Sequence, residues 1–282
     1  MTSFELFEHI SGLEHTFEMQ IYKAATAIAT YIEAIEIKPL ISEEQHTQIM
    51  ERQIKRLNKY KDFPIVRDIL SGTPNDMFNL FKEFSRLRNR IRWVKRAPLR
   101  NYSVLGHSYD VAVINYLFCL NDNPNDIERA EKGFYVGLFH DLAENWTGDM
   151  PSPVKNEVPG LRAKTEEIEI KVLNSFVFPS LPDWLVPKFK EIMLELIPNR
   201  NLRDFYKIAD DFAATVEAAT QLMIGSTDTY FANVVIANSL KKSPIEICNA
   251  VTNQLRKDAR ISYFTLFLCK LIYKLNIIGK KH

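Results

Sequence analysis

The chain has 282 residues, 46% hydrophobic and 25% charged, which is ordinary for a globular protein large enough to bury a full core. Its formal net charge of +1 excludes a general electrostatic attraction to nucleic acid or to an anionic membrane, so any basic surface must be local. Three cysteines without a CxxC pair favour a reducing, cytoplasmic environment over a disulfide framework. The N-terminus carries acids where a signal peptide carries Lys or Arg, which argues against export.

Nine glycines interrupt the chain, and apolar residues recur at spacings of three and four, which predicts an essentially all-α fold. In the first 80 residues we expect two or three helices, from an amphipathic stretch at 4–36 and a charged one at 43–70. Helix starts are indicated at Thr73-Pro74, at Asp126 before Ile127, and at Ser243-Pro244.

Further along, the segment 121–126 is predicted to be a turn between helices, and the proline-rich segment 146–159 an ordered loop. A long helical run at 202–224 is followed by Gly225 as its C-cap. The apolar segment 261–278 approaches transmembrane length, but Lys270 and Lys274 lie within it on one helical face. We therefore expect a helix packed on the core or on a partner subunit, and no membrane span.

Two of the six histidines lie in apolar, helix-like runs: His107, and His140 directly before Asp141. Charged side chains are seldom buried unless they are paired or bind a metal, and imidazoles with a carboxylate suit a divalent transition metal. A further acid must come from another helix, and Asp210 and Asp211 in an Ala-rich run are both candidates. Each residue alone is more often a hydrogen-bonded core histidine or a solvated acid. Their joint occurrence favours a metal site.

These residues resemble a known pattern. The order His107, His140-Asp141, Asp210 is similar to the H…HD…D signature of HD-domain metal-dependent phosphohydrolases, in particular the bacterial 5'-deoxynucleotidase branch. That branch also shares an HD-x-x-E-x-x-T-G-D-x-P-x-P-V-K stretch, matched here by His140, Asp141, Glu144, Thr147, Gly148, Asp149, Pro151, Pro153, Val154 and Lys155. An Arg-Trp pair upstream of the first histidine is matched by Arg92-Trp93, and the resemblance covers roughly residues 86–220.

The resemblance implies an HD-domain helical bundle with extra N-terminal and C-terminal helices. We expect an N-terminal helical extension at 1–80, a catalytic core at 81–235, and helices at 236–282 packed on the core or a partner subunit. Since relatives are often dimers, a homodimer is expected.

The resemblance also implies one divalent ion, of Co, Mn, Ni, Fe, Zn or Mg, with Asp210 preferred over Asp211 because it follows Ala209. The four implied ligands are His107, His140, Asp141 and Asp210. Glu144 and Asp149 are the implied catalytic carboxylates, and Arg92, Trp93 and Lys155 the implied substrate contacts.

Two departures from the pattern matter. Relatives commonly carry Glu before the first histidine, whereas this chain has Gly106, so any support that Glu gives the histidine is in question. After His140 the next histidine is the terminal His282, which favours one ion over a dinuclear centre.

The stretch 86–100 carries seven basic residues and no acid. A solvated helix face is the usual explanation, and a phosphate clamp at Arg92 is the functional one. A single interleaved aromatic and the near-neutral net charge of the chain argue against nucleic-acid binding.

The function expected from all of this is release of phosphate from a nucleotide, a deoxynucleoside 5'-monophosphate, by metal-activated water. Two alternatives stay open: nucleoside triphosphate hydrolysis on the same site, and an inactive HD-fold regulatory or binding protein.

Overall fold

The structure is a computed structural model that describes residues 16–93, 99–148, 157–196 and 200–223. The described residues are helical almost throughout, which confirms the predicted all-α fold. One isolated antiparallel bridge, between Ile91 and Ser103, is found in these ranges. The chain divides into two compact units, residues 1–85 and 86–282.

In the described part of the N-terminal unit, residues 16–85, there are four helices: α1 (Phe17–Glu36), α2 (Glu43–Leu57), α3 (Pro64–Ser71) and α4, which begins at Asp76 and ends at Arg86 on the unit boundary. Thr16 and Ser42 cap α1 and α2, and Ser42 forms a reciprocal capping box with Gln45. The unit has its own apolar core of Ala27, Ile28, Ile32, Leu57 and Val66.

Two expectations for this unit were wrong. The stretch 43–70 is broken because Pro64 has no backbone N–H and holds Phe63 extended, so a new helix begins there. The helix expected to start at Thr73-Pro74 begins at Asp76 instead, because Asn75 Oδ1 accepts the Phe78 N–H at 2.9 Å.

Of the C-terminal unit, the ranges that the structure describes contain six helices: α5 (Val104–Asp122), α6 (Ile127–Phe139), α7 (Glu144–Thr147), α8 (Leu161–Val172), α9 (Val186–Lys190) and α10 (Arg200–Met223). Wider π-helical turns at Leu173–Val177 and Glu191–Leu196 extend α8 and α9. The predicted start at Asp126 is confirmed, since its carboxylate accepts the Arg129 N–H at 3.0 Å.

The core of this unit lies between α5, α6 and α10. Val111 and Ile114 of α5 pack against Ala209 and Ala213 of α10. On its other side, α5 approaches α6 so closely that a Cβ on Gly137 would lie 2.6 Å from the Cα of Ala112. These three helices carry the site described below.

The loop predicted at 146–159 begins later than expected, since Trp146 and Thr147 belong to α7 and the helix ends at Gly148 with φ 77°. Residues 149–156 lie outside the described ranges, as do Gly225, Ser243-Pro244 and the segment 261–278. No helix within the described residues is both long and apolar enough to span a membrane.

Candidate metal centre

The first turn of α5 holds His107. Ser103 caps the helix by accepting the Gly106 N–H at 3.0 Å, and the His107 side chain is fully buried. Its two ring nitrogens meet two carboxylates of α10: Nδ1 lies 2.8 Å from Glu217 Oε1, and Nε2 lies 3.0 Å from Asp210 Oδ1.

The sequence predicts that His140 and Asp141 lie inside a helix. In the structure they directly follow the end of α6. The helix ends at Phe139. In a continuing helix the Gly137 carbonyl would accept the Asp141 N–H, but here it accepts from His140 Nδ1 at 2.7 Å. The turn lets two adjacent side chains point to the same place.

The hydrogen bond to Gly137 fixes the tautomer of His140. A carbonyl oxygen can only accept, so in the neutral ring Nδ1 carries the proton and Nε2 has the lone pair. Nε2 lies 3.0 Å from Asp141 Oδ2, yet it is buried and makes no hydrogen bond to any described residue. A buried imidazole lone pair without a donor is what a metal ligand presents in the absence of its ion.

Three side chains converge at this point. His107, His140 and Asp141 each offer a ligand atom, and these atoms all lie within 4.8 Å of one another. Within the described residues they form the one group of three or more such side chains that could hold an ion. Two imidazoles and a carboxylate match the donor preference of mid-series divalent metals.

Asp210, the predicted fourth ligand, lies beside this group and is not a member of it. Its Oδ1 contacts His107 Nε2, while its Oδ2 accepts from Lys207 Nζ at 2.8 Å. Both oxygens are therefore engaged by cations or donors, and the one facing His107 points toward the group of three.

The buried charges at this site shift the pKa values of its residues in opposite directions. Burial and the Arg92 charge lower the pKa of His107, but hydrogen bonds to Asp210 and Glu217 outweigh them and raise it to about 9. Burial raises the pKa of Asp141, whereas interactions with His140 and the charge on His107 hold it down at about 2. Against burial, His107 and Lys207 also keep the pKa of Asp210 well below its ordinary value. The carboxylates are thus ionised, and a proton occupies part of the space between them.

The Arg92-Trp93 pair lies beside the group formed by His107, His140 and Asp141, and its role as a substrate contact stays a prediction. The Arg92 guanidinium reaches Asp141 Oδ2 at 3.9 Å and Glu217 Oε2 at 3.2 Å. Its backbone N–H donates to the Tyr102 carbonyl at 2.8 Å, which anchors the segment to the residues before α5.

Trp93 is held in an unusual conformation. Its φ of 61° lies in the left-handed region that bulky residues avoid. The indole Nε1–H donates to Glu217 Oε2 at 2.7 Å, and the Arg92 guanidinium lies 5.2 Å from the ring centre.

Glu217 is the residue that sequence reasoning missed. It is buried on α10, and its carboxylate contacts His107, Arg92 and Trp93. Burial raises its pKa, but the His107 hydrogen bond and the Arg92 charge hold the pKa below the ordinary value. One signal could have found it: an acid seven residues after Asp210 returns to the same helical face.

Of the three remaining predicted site residues, one lies within the described part of the chain. Glu144 begins α7, is buried, and donates its backbone N–H to the Asp141 carbonyl at 3.0 Å. Asp149 and Lys155 lie outside the described residues.

This helical bundle carries a histidine on one helix, a His-Asp pair at the end of the next helix and an acid on a later helix. That arrangement is the one found in HD-domain phosphohydrolases. Residues 79–256 match a protein family described as "5'-deoxynucleotidase YfbR-like". The chain is a member of this YfbR-like family, which places it among the phosphoric ester hydrolases.

Several curated relatives carry the name 5'-deoxynucleotidase. One from Yersinia pseudotuberculosis serotype I (strain IP32953) is 27% identical over 172 residues, which cover 60% of this chain and 87% of the relative. One from Yersinia pestis (strain Pestoides F) has the same identity and coverage.

Among solved structures, a conserved hypothetical protein from Pyrococcus furiosus aligns with TM-score 0.43 and 21% identity over 58% of this chain and 97% of its own. A protein from Pyrococcus horikoshii OT3 aligns with TM-score 0.48 and 18% identity over 69% and 99%.

Proposed function

We propose that this protein releases phosphate from deoxynucleoside 5'-monophosphates with the help of a single divalent ion. The observation that supports this most directly is the convergence of His107, His140 and Asp141, with the Arg92 guanidinium 3.9 Å from Asp141. A cation site with a guanidinium beside it suits a phosphate monoester, and the named relatives are 5'-deoxynucleotidases.

The residues present fit such an ion. His140 Nε2 is buried without a hydrogen-bond partner among the described residues, and the ionised carboxylate of Asp141 lies beside it. We propose His107, His140, Asp141 and Asp210 as the ligands, with one ion of the Co, Mn, Ni, Fe, Zn or Mg group. When bound, the ion polarises the phosphoryl group and lowers the pKa of a bound water.

Arg92 and Trp93 are the proposed substrate contacts. The guanidinium is held in place by Glu217, and a fixed planar fork of donors suits the oxygens of a phosphate group. The Trp93 ring, fixed by its own hydrogen bond to Glu217, offers a flat apolar wall against the sugar. A wall of this kind favours a sugar without a 2'-hydroxyl, because it gives that hydroxyl no partner.

Glu144 is proposed to orient and deprotonate the attacking water. Its backbone N–H donates to the carbonyl of Asp141, one of the proposed metal ligands, and its side chain is buried. A carboxylate in such a position can act as a general base. Asp149 and Lys155 remain proposals from the motif, as second carboxylate and phosphate contact.

The domain assignment is proposed as the sequence suggested it, with 81–235 as the catalytic core. The segment 1–80 is the proposed extension and 236–282 the proposed packing helices, with a homodimer as the proposed assembly.

The deciding experiment measures orthophosphate release after removal of bound metal and addition of Co²⁺ or Mn²⁺. Substrates are the 5'-monophosphates of deoxynucleosides and ribonucleosides, and the matching triphosphates. We expect turnover of deoxynucleoside 5'-monophosphates that His140→Ala abolishes. No turnover of any monophosphate, or cleavage of triphosphates alone, would refute the proposal.

A further inference from the structure

Glu217 connects the two halves of the site. One oxygen of its carboxylate, Oε1, faces His107 Nδ1 at 2.8 Å. The other, Oε2, accepts from Trp93 Nε1 at 2.7 Å and from Arg92 Nε at 3.2 Å. The same buried group therefore contacts a proposed metal ligand and both proposed substrate residues.

A carboxylate in this position is costly to bury unless its oxygens are satisfied. The Glu217 side chain is 2% exposed, and three donors from two different segments surround it. The carboxylate at His107 Nδ1 comes from α10, and the residue that precedes His107, Gly106, has no side chain.

The contact on Nδ1 also decides what the other ring nitrogen can do. A carboxylate at Nδ1 keeps the proton there and leaves Nε2 for the metal group, as an orienting acid does for a metal-bound histidine. On its other side, the hydrogen bond to Trp93 holds a residue whose φ of 61° is otherwise unfavourable.

We propose that Glu217 is a positioning residue that couples the metal-binding face of His107 to the substrate contacts Arg92 and Trp93. The proposal rests on the function proposed above. It assigns to one carboxylate two tasks: it orients a metal ligand, and it fixes the wall against which the sugar binds.

The substitution Glu217→Gln tests this, because an amide has one acceptor oxygen where a carboxylate has two. When His107 Nδ1 carries the proton, as metal binding through Nε2 requires, the variant can accept from His107 or from Trp93, but not from both. Thr215→Val is the matched control: Thr215 is buried on the same helix, and its hydroxyl donates to the Asp211 carbonyl at 2.7 Å, away from the three partners of Glu217.

Three measurements are made on each variant: Co²⁺ binding, which gives Kd, steady-state kinetics with thymidine 5'-monophosphate, which give KM and kcat, and the emission of Trp93. The emission is recorded in a Trp146→Phe/Trp184→Phe background, so that Trp93 is the one remaining tryptophan of three. For Glu217→Gln we expect Co²⁺ binding about 10–100-fold weaker, a raised KM, and loss of the Co²⁺-dependent change in Trp93 emission. Thr215→Val should match the parent in all three.

Unchanged Co²⁺ affinity in Glu217→Gln would overturn the proposal. Weaker Co²⁺ binding with unaltered KM and Trp93 emission would also overturn it, because Glu217 would then serve His107 alone. Trp93→Phe gives a second test if Glu217→Gln does not fold. It removes one donor from Glu217 without touching the metal group, and it should weaken Co²⁺ binding severalfold, whereas no change refutes the coupling.

The two proposals fail in different ways. If the parent protein releases no phosphate from any 5'-mononucleotide, the proposed function is wrong. The Co²⁺ affinities and the Trp93 emission still decide whether Glu217 couples His107 to Trp93.

Discussion

The backbone carbonyl of Gly137 accepts the ring Nδ1–H of His140 at 2.7 Å. The same glycine lies where α6 crosses α5, so close that a Cβ would stand 2.6 Å from the Cα and 2.7 Å from the N of Ala112. The position that sets the distance between the two helices thus also sets the direction of a proposed metal ligand. Packing and metal binding are linked at one residue.

The substitution Gly137→Ala should therefore lower both the stability of the fold and the affinity for metal. The new methyl group meets backbone atoms that cannot rotate away, so we expect a loss of about 1–3 kcal/mol in unfolding free energy, measured by urea denaturation. Co²⁺ affinity should fall as well, since the Gly137 carbonyl moves with the helix. Gly133→Ala is the matched control, because its Cβ would meet the Cys119 Sγ, a side-chain atom, at 2.8 Å and can be accommodated more easily. Equal stability of the two variants would contradict this account of the helix crossing.

Glu144→Gln should separate catalysis from metal binding. If Glu144 acts on the attacking water, kcat falls by about 10²–10⁴-fold while the Kd for Co²⁺ stays within error of the parent value. His140→Ala is the contrasting variant, which should lose Co²⁺ binding along with activity. Full activity in Glu144→Gln would remove Glu144 from the mechanism.

Arg92→Lys tests the phosphate contact while keeping the charge. The lysine loses the guanidinium fork, including the bond from Nε to Glu217 at 3.2 Å. Hydrogen bonds to charged groups contribute about 1.5–3 kcal/mol, so KM for a 5'-monophosphate should rise by about tenfold or more. Arg129→Lys, which alters a partly exposed pair with Asp122, should leave KM unchanged. An unaltered KM in Arg92→Lys would mean that phosphate binds elsewhere.

Metal affinity should rise with pH. In the metal-free protein the pKa of His107 is raised to about 9, so at neutral pH the ring carries a proton that the ion must displace. Below pH 9 we expect the apparent Co²⁺ affinity to fall by about tenfold per pH unit from this one group. Isothermal titration in buffers of different ionisation enthalpy would show close to one proton released. A pH-independent affinity between pH 6.5 and 9 would show that His107 is already neutral.

The same raised pKa makes the folding stability of the protein without metal fall as the pH rises, whereas metal affinity rises. A histidine whose folded pKa exceeds its unfolded value stabilises the fold fully below the unfolded pKa of 6.5, and this contribution is lost as pH rises through about 9. The melting temperature of metal-free protein should therefore fall across this interval. His107→Gln should flatten the profile.

Much of the candidate site could be predicted because each of its residues is conspicuous within its own short stretch of sequence. The couplet His140-Asp141 and the isolated His107 are unusual residues in apolar runs, and the structure brings them within 4.8 Å. The choice of Asp210 over Asp211 rested on its setting after Ala209, and the structure places Asp210 Oδ1 on His107 Nε2.

What the sequence did not reveal depends on contacts between distant segments. Glu217 is one acid in an Ala-rich helix, and nothing near it in the chain shows that it meets Trp93 across 124 positions. The end of α6 at Phe139 was missed for a related reason, since a side-chain ring competes with the backbone for the Gly137 carbonyl. In the N-terminal unit, the restraint of Pro64 on Phe63 divides a stretch whose charge pattern is continuous.

The backbone of Trp93 has a consequence for protein engineering. A tryptophan at φ 61° costs on the order of 1–3 kcal/mol that glycine would not, so Trp93→Gly relieves strain at that residue. The same substitution removes the indole donor from the buried carboxylate of Glu217, and an unsatisfied buried acceptor is destabilising. Relief of backbone strain and satisfaction of Glu217 therefore oppose each other at this position, and a library selected for heat resistance should retain the tryptophan.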